Sequence, residues 1–169
     1  SKSNGMESIA LTDVNCLSGF INFVKYCNSM DVNPIAGVNL ITKNEDVIIL
    51  VENQIGYENL CRIISKSYDL KDQKISDIIA SHSSGLFILT EQYSILKQLN
   101  SVVSNTHLFV ELRPGGSESE ARKLAKKLKL EVVATGNVYF HNIKDYESYI
   151  ILQAIKKNTK IDNIKKEND

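Results

Sequence analysis

A chain of 169 residues is one domain's worth and is long enough to bury a real core. Twenty Lys and Arg balance twenty Asp and Glu, which excludes an overall basic field for holding nucleic acid or anionic lipid. Cys16, Cys27 and Cys61 are odd in number, widely spaced and set in apolar surroundings, so they fit buried thiols of a reducing cytoplasm better than a disulfide or zinc framework. No apolar run approaches a membrane span and the first residues lack a signal peptide's apolar segment, so the expectation is a soluble cytoplasmic protein.

In chain order, Ser1 to Gly5 reads as the last turn of a helix stopped by Gly5, followed by a strand from Ser8 to Thr12. After Asp13-Val-Asn-Cys, the residues Leu17, Phe20, Ile21, Val24 and Cys27 recur at helical spacing. Pro34 opens a strand, Ile35 to Ile41, and the polar turn Thr42 to Asp46 separates it from Val47 to Val51, a pairing that suits a hairpin. Gly56 precedes a helix with Tyr57, Leu60, Cys61, Ile64 and Tyr68 on one side. The polar loop Asp69 to Lys74 then leads to a shorter helix around Ile75, Ile78 and Ile79. A strand at Leu86 to Thr90, a helix around Ile95 to Leu99 and a strand at Leu108 to Leu112 follow. Arg113-Pro-Gly-Gly is a turn, and Ser117 with Glu120 three residues on is a capping-box signature for a helix carrying Ala121, Leu124, Ala125 and Leu128.

Val132 to Thr135 is a short apolar, β-branched run with helical segments on both sides, which suits a parallel strand. Gly136 would free the backbone, and in an extended continuation Asn137, Tyr139 and His141 would share a face. Asp145 is a candidate cap for a helix with Tyr146, Ile150 and Ala154, Asn158 its stop, and residues 162–169 a polar tail. Strands alternating with helices predict a mostly parallel α/β sheet, open or closed into a barrel, with its site at the carboxyl ends of the strands. That rule nominates Asp13, Val14, Asn39, Gln92, Asn137 and Tyr139, a poor set of catalysts.

Converging His, Asp, Glu or Cys would be needed to hold zinc or manganese. Asp13 stands nearly alone, and His82, His107 and His141 are far apart with no His-x-His pair. His141, closest to the presumed site, reads first as an ordinary loop histidine. Pro114-Gly-Gly-Ser117 lacks the Lys and spacing of a P-loop and reads as a plain turn. Ser83-Ser84-Gly85 has no accompanying base, and the lysines of Arg122 to Lys129 read as the solvated face of an amphipathic helix.

At these strand ends the sequence resembles the polymerase and histidinol phosphatase (PHP) domain at the start of bacterial DNA polymerase III alpha subunits. Gly5-Met-Glu-Ser-Ile-Ala-Leu-Thr-Asp13-Val14-Asn15 is similar to the family's Gly-Met-x-x-Leu-Ala-Leu-Thr-Asp-His-x-Asn, and Pro34-Ile-Ala-Gly37-Val38-Asn39 to its Pro-Ile-x-Gly-x-Glu. The segments from Val47 to Leu60, Ser84 to Thr90 and Val133 to Phe140 continue the series, so the resemblance runs from Ser1 to Ile161.

The resemblance implies a distorted (β/α) barrel over 1–161 with a metal cluster at its mouth in active members, and a chain beginning after the family's first strand and its His-x-His pair. It also implies open sheet edges in such a fragment. Carried over position by position, Val14 stands for a ligand His, Asn39 for Glu, and Asn137 and Tyr139 for the late Asp and His. Asp46 and Gln92 stand where active members tend to have His and Cys or His. The expectation is a degenerate site with no metal or other cofactor, its polar groups joined by hydrogen bonds such as Asn39 to Asn137 and Tyr139. Such a domain would support the remainder of a replicative or error-prone polymerase alpha subunit and, as the family suggests, dock a proofreading exonuclease. It would meet DNA only through that polymerase. The competing expectation is a metal-dependent phosphoesterase with a rearranged site on Asp13, Asp46 and His141.

Overall fold

The computed structural model describes residues 5–69, 74–140 and 142–168, the last four of these as backbone only. The predicted helical turn before Gly5, part of the loop before Lys74, and His141 therefore lie outside the described residues. The chain divides into two compact units, Ser1–Thr135 and Gly136–Asp169.

The first unit holds a mixed α/β arrangement around a six-stranded sheet whose spatial order is the chain order: β1 (Ser8–Val14), β2 (Asn33–Ile41), β3 (Asp46–Val51), β4 (Leu86–Thr90), β5 (Leu108–Leu112) and β6 (Glu131–Ala134). Strand β3 runs against both of its neighbours, while β1 with β2, β4 with β5 and β5 with β6 are parallel. The connection explains the reversal. Residues 42–45 form a tight turn in which Thr42 N–H donates to Glu45 O at 2.8 Å and Glu45 N–H donates to Thr42 Oγ1 at 3.0 Å, and so short a link can only join antiparallel strands. Strands β1 and β6 are the outer strands of this sheet.

Among the described residues five helices belong to this unit: α1 (Phe20–Ser29), α2 (Gln54–Ser67), α3 (Ile75–Ser81), α4 (Tyr93–Leu99) and α5 (Glu118–Leu128). Strand residues alternate between faces, and Val38, Leu40, Val47, Ile49, Leu86, Ile88, Leu108 and Val110 share one of them. They pack in a single cluster with Leu60, Ile63, Ile79, Leu96, Leu99 and Ala121 from the helices. At about 1.5–3 kcal/mol for each fully buried aliphatic side chain, this layer fixes the register of the strands. Ile48, Leu50, Leu89 and Phe109 alternate with these and stand outside the cluster, on the opposite face.

The helix starts follow from local chemistry. Asn53 caps α2 by accepting from Gly56 N–H at 3.1 Å, and Ser117 caps α5 by accepting from Glu120 N–H at 3.3 Å, as its spacing predicts. Helix α3 is capped from outside: the Glu45 carboxylate accepts from Ile75 N–H at 2.6 Å, Ser76 N–H at 3.3 Å and Ser76 Oγ–H at 2.6 Å. Pro114-Gly-Gly is the plain turn expected, with Gly115 at φ +82° and Gly116 N–H donating to Arg113 O at 2.9 Å.

The second unit contains a 3₁₀ turn, Ile143–Asp145, then α6 (Tyr146–Lys157) and α7 (Ile161–Asn168). Asn158 ends α6 in the left-handed conformation, φ +48°, as expected. Asp145 does not cap α6 with its side chain; its carboxylate instead accepts from Asn142 N–H at 3.1 Å, closing the 3₁₀ turn. The expected polar tail is helix α7. Its buried Ile164 packs against Ile150 and Ala154, an isolated apolar contact too sparse to show as periodicity. All three cysteines are free thiols, and only Cys27 is fully buried. Among the described residues no helix is long and apolar enough to cross a membrane.

Candidate functional site

Parallel strands carry their carboxyl ends to one edge of a sheet, and here the reversed β3 brings its first residue, Asp46, to that same edge. Cross-strand partners share a face, so the register sorts the nominated residues. Val14 pairs with Asn39, Asn39 with Ile48, Ile48 with Leu89 and Leu89 with Phe109, while Asp46 pairs with Ile41. Val14, Asn39, Asp46 and Glu111 therefore lie on the face opposite the helices.

Asp13 lies on the other face. It pairs with Val38 in the helix-packed layer, and its Oδ2 accepts from Gly19 N–H at 3.3 Å, just ahead of α1. The trio Asp13, Asp46 and His141 is thus not brought together: the two acids are on opposite sides of the sheet, and His141 is outside the described residues. Gln92 is spent on backbone, its Oε1 accepting from Asp46 N–H at 3.0 Å and its Nε2–H donating to Asn44 O at 3.2 Å.

Of the side chains that converge at the mouth, Asp46 was a candidate, and Arg113 and Glu111 were not. The Arg113 guanidinium makes a two-pronged pair with Asp46, Nη1 to Oδ2 at 2.7 Å and Nη2 to Oδ1 at 3.0 Å. The same Nη2 lies 2.9 Å from Oε2 of Glu111, whose side chain is wholly buried. That contact is ionic and off the hydrogen-bonding direction, since Glu111 Oε2 makes no hydrogen bond. Glu111 Oε1 accepts from the Thr135 hydroxyl at 2.7 Å. The hydrogen bond to Asp46, followed by the close ionic contact with Glu111, raises the Arg113 pKa against the opposing effect of burial, so the guanidinium is a permanent cation. Arg113 and Asp46 are 67 residues apart in sequence, and what links them is the reversal of β3.

Asn39 is 7% exposed and its Oδ1 has no partner among the described residues. Asn137 has φ +43°, which ends the extended course predicted through residues 137–141, and the left-handed residue is this Asn rather than Gly136. Tyr139 belongs to the second unit, where its ring packs on Tyr149 with centroids 5.4 Å apart. Asn15 does structural work instead: at φ +57° its amide accepts from Ile41 N–H at 2.8 Å and donates to Ile41 O at 3.0 Å, extending the β1–β2 ladder with a side chain.

A phosphoesterase metal cluster of the kind the resemblance implies needs several free anionic or imidazole donors. Val14 offers no lone pair, Asn39 has lost the charge, and both mouth carboxylates are held by a guanidinium. Among the described residues no three His, Cys, Asp or Glu side chains gather as a metal-binding group. The described side chains do not fit that cluster.

Comparison with known proteins gives the lineage. DNA polymerase III subunit alpha of Vibrio cholerae is 29% identical over 89% of this chain, that of Pasteurella multocida 26% over 96%, and that of Bacillus subtilis 27% over 93%. The chain spans only 16–17% of the length of these relatives. Among solved structures, a proposed metal-dependent phosphoesterase from Bifidobacterium adolescentis superposes with a TM-score of 0.46 at 9% identity, over 79% of this chain and 77% of that one. The PHP domain family matches residues 1–163, nearly the whole length, and the chain belongs to that family.

Proposed function

We propose that this chain is a non-catalytic PHP domain, a structural and interaction module of a DNA polymerase III alpha subunit in DNA replication. The observation that carries this reading is the Arg113 pair: the two carboxylates at the sheet mouth, Asp46 and Glu111, are already engaged by a side chain of the same protein. Val14 and Asn39 remove two further donors, and the Tyr139 phenol is a poor substitute for an imidazole ligand. Without a bound metal there is no Lewis acid on a phosphoryl oxygen and no water of lowered pKa. In this reading DNA-directed nucleotidyl transfer belongs to the remainder of the alpha subunit, in the cytoplasm. The domain braces that body and offers a surface for a proofreading exonuclease. DNA reaches it only through the polymerase, because its own charges balance.

Elemental analysis after purification without chelator is expected to find no stoichiometric zinc, manganese or iron. Assays with simple phosphoesters and a mismatched primer end should stay at background. One equivalent of metal together with chelator-sensitive hydrolysis would overturn the proposal.

A further inference from the structure

We propose that the outer strand β6 and helix α5 form a docking surface for a second copy of this chain, which adds its own β6 antiparallel across a two-fold axis. The surface is distinct from the sheet mouth, so it stands whether or not the mouth is catalytic.

The strand supplies the register. Thr135 N–H donates to Leu112 O at 3.0 Å, so the odd-numbered backbone groups of β6 turn inward to β5, and those of Val132 and Ala134 turn outward. Among the described residues no strand lies beyond β6, and that edge keeps its outward N–H and C=O groups open to another strand. In an antiparallel self-pairing centred on Val133, Val132 meets the partner's Ala134, and Ala134 meets the partner's Val132. Each such pair exchanges two hydrogen bonds, so every outward group of both residues is used. The same register sets Glu131 opposite the partner's Thr135, and no like charges meet between the strands.

So short an edge cannot hold a dimer alone, and the groove beside it supplies the rest. The groove lies between α5 and β6, floored by Ala125, Leu130 and Val132 and rimmed by Glu118, Arg122 and Lys126. The rim residues are four apart and form one stripe of the helix, its acid first and its bases after. An axis normal to the sheet lays the two α5 helices side by side on one face, running in opposite directions. Glu118 of each copy then faces Arg122 or Lys126 of the other, and the end of each helix dipole meets the opposite end of its neighbour. The spacing also suits. Helix α5 packs over both β5 and β6, and with strands about 4.8 Å apart a helix centred between them lies about 5 Å from the axis. The two helices would stand about 10 Å apart, an ordinary packing distance. The other outer strand, β1, lacks this complementarity, because the helix that follows it, α1, carries Lys25 and no acid.

The test is sedimentation equilibrium of the whole chain over about 1–200 μM, where a small polar interface of this kind should show a reversible monomer–dimer equilibrium. Raising sodium chloride from about 0.1 to 0.5 M should weaken the dimer severalfold. Ala134→Pro removes a donor that points away from β5 and blocks the edge, so it should weaken the dimer about tenfold or more while the circular dichroism spectrum is kept. Ala10→Pro makes the same change on the outer edge of β1 and should leave the dimer intact. Glu118→Lys sets like charges against each other across the axis and should weaken the dimer about fivefold. If A134P does not fold, amide exchange of the native chain decides: Val132 and Ala134 should exchange more slowly as concentration rises. A chain that stays monomeric throughout, a dimer dissolved by A10P and not by A134P, or exchange at Val132 and Ala134 that ignores concentration overturns the inference.

Discussion

Gly56→Ala is expected to be the most damaging single-methyl change in the first unit. A Cβ built at Gly56 would sit 1.8 Å from Gly85 O and 2.6 Å from Gly85 C, both backbone atoms that cannot rotate away. Restoring ordinary contact requires the start of α2 and the turn before β4 to part by about 1.5 Å. Three hydrogen bonds cross or brace that junction: Glu52 N–H to Gly85 O at 3.0 Å, Asn59 Nδ2–H to Ser84 O at 2.9 Å, and Gly56 N–H to the Asn53 cap at 3.1 Å. At about 1 kcal/mol each, their weakening together makes a loss of roughly 3 kcal/mol, at the top of the range for overpacking. In a chain of this size that corresponds to a fall in melting temperature of about 6–12 °C.

The assay is urea denaturation and thermal melting followed by circular dichroism. Gly115→Ala serves as control, because Gly115 has φ +82° but nothing within 4 Å of its notional Cβ, and should cost only the backbone strain of about 1 kcal/mol. If the two variants lose the same stability, close backbone approach is not what makes Gly56 necessary.

Other substitutions probe other parts of the fold. Asn15→Ala should cost about 1–2 kcal/mol by leaving Ile41 N–H and O without their side-chain partner, and faster hydrogen exchange confined to Ile41 and its neighbours would mark the cause. Glu111→Ala should cost about 1–3 kcal/mol, since it empties a buried site and strands the Thr135 hydroxyl while Arg113 keeps Asp46; a loss below about 1 kcal/mol in urea unfolding would show Glu111 to be dispensable for stability. Burial, then the neighbouring Tyr139, raises the Tyr149 pKa above its ordinary 10. The protonated phenol is therefore the form the folded state favours, its contribution is complete below pH 10, and it is lost as pH rises through the folded pKa. A 295 nm titration should show late-ionising amplitude that Tyr149→Phe diminishes.

Much of the fold was legible because its strands are short, β-branched and bounded by turns. Leu86 to Thr90 and Leu108 to Leu112 read as strands with the bounds they have, and the turn at residues 42–45 announced the one antiparallel hairpin. Helix α7 was not legible, because one buried Ile164 among Lys, Asp and Asn carries no period. At the site, the strand-end rule located the edge but not the face. Asp13 and Val14 are adjacent and point opposite ways, so the acid that looked available is turned toward Gly19. Arg113 looked like part of a turn, and so it is; its ion pair depends on a strand reversal that nothing near residue 113 encodes. The charged Glu111 inside Leu-Phe-Val-Glu-Leu was the local signal that could have been followed, since a strand interior rarely keeps an acid without a partner.

The turn between β2 and β3 ends in two consecutive acids that serve opposite sides of the sheet. Glu45 reaches the start of α3 in the helix layer, and Asp46 reaches Arg113 at the mouth. Their division of labour is a matter of parity. Inserting a single residue between Thr42 and Glu45 would leave both acids in the sequence, yet any compensating slip of β3 would exchange their directions, turning a helix cap into the mouth and an ion-pair partner into the core. The spacing of that turn is therefore under tighter physical constraint than the identity of the residues within it, and a library varying its length should lose folded protein much faster than one varying its composition.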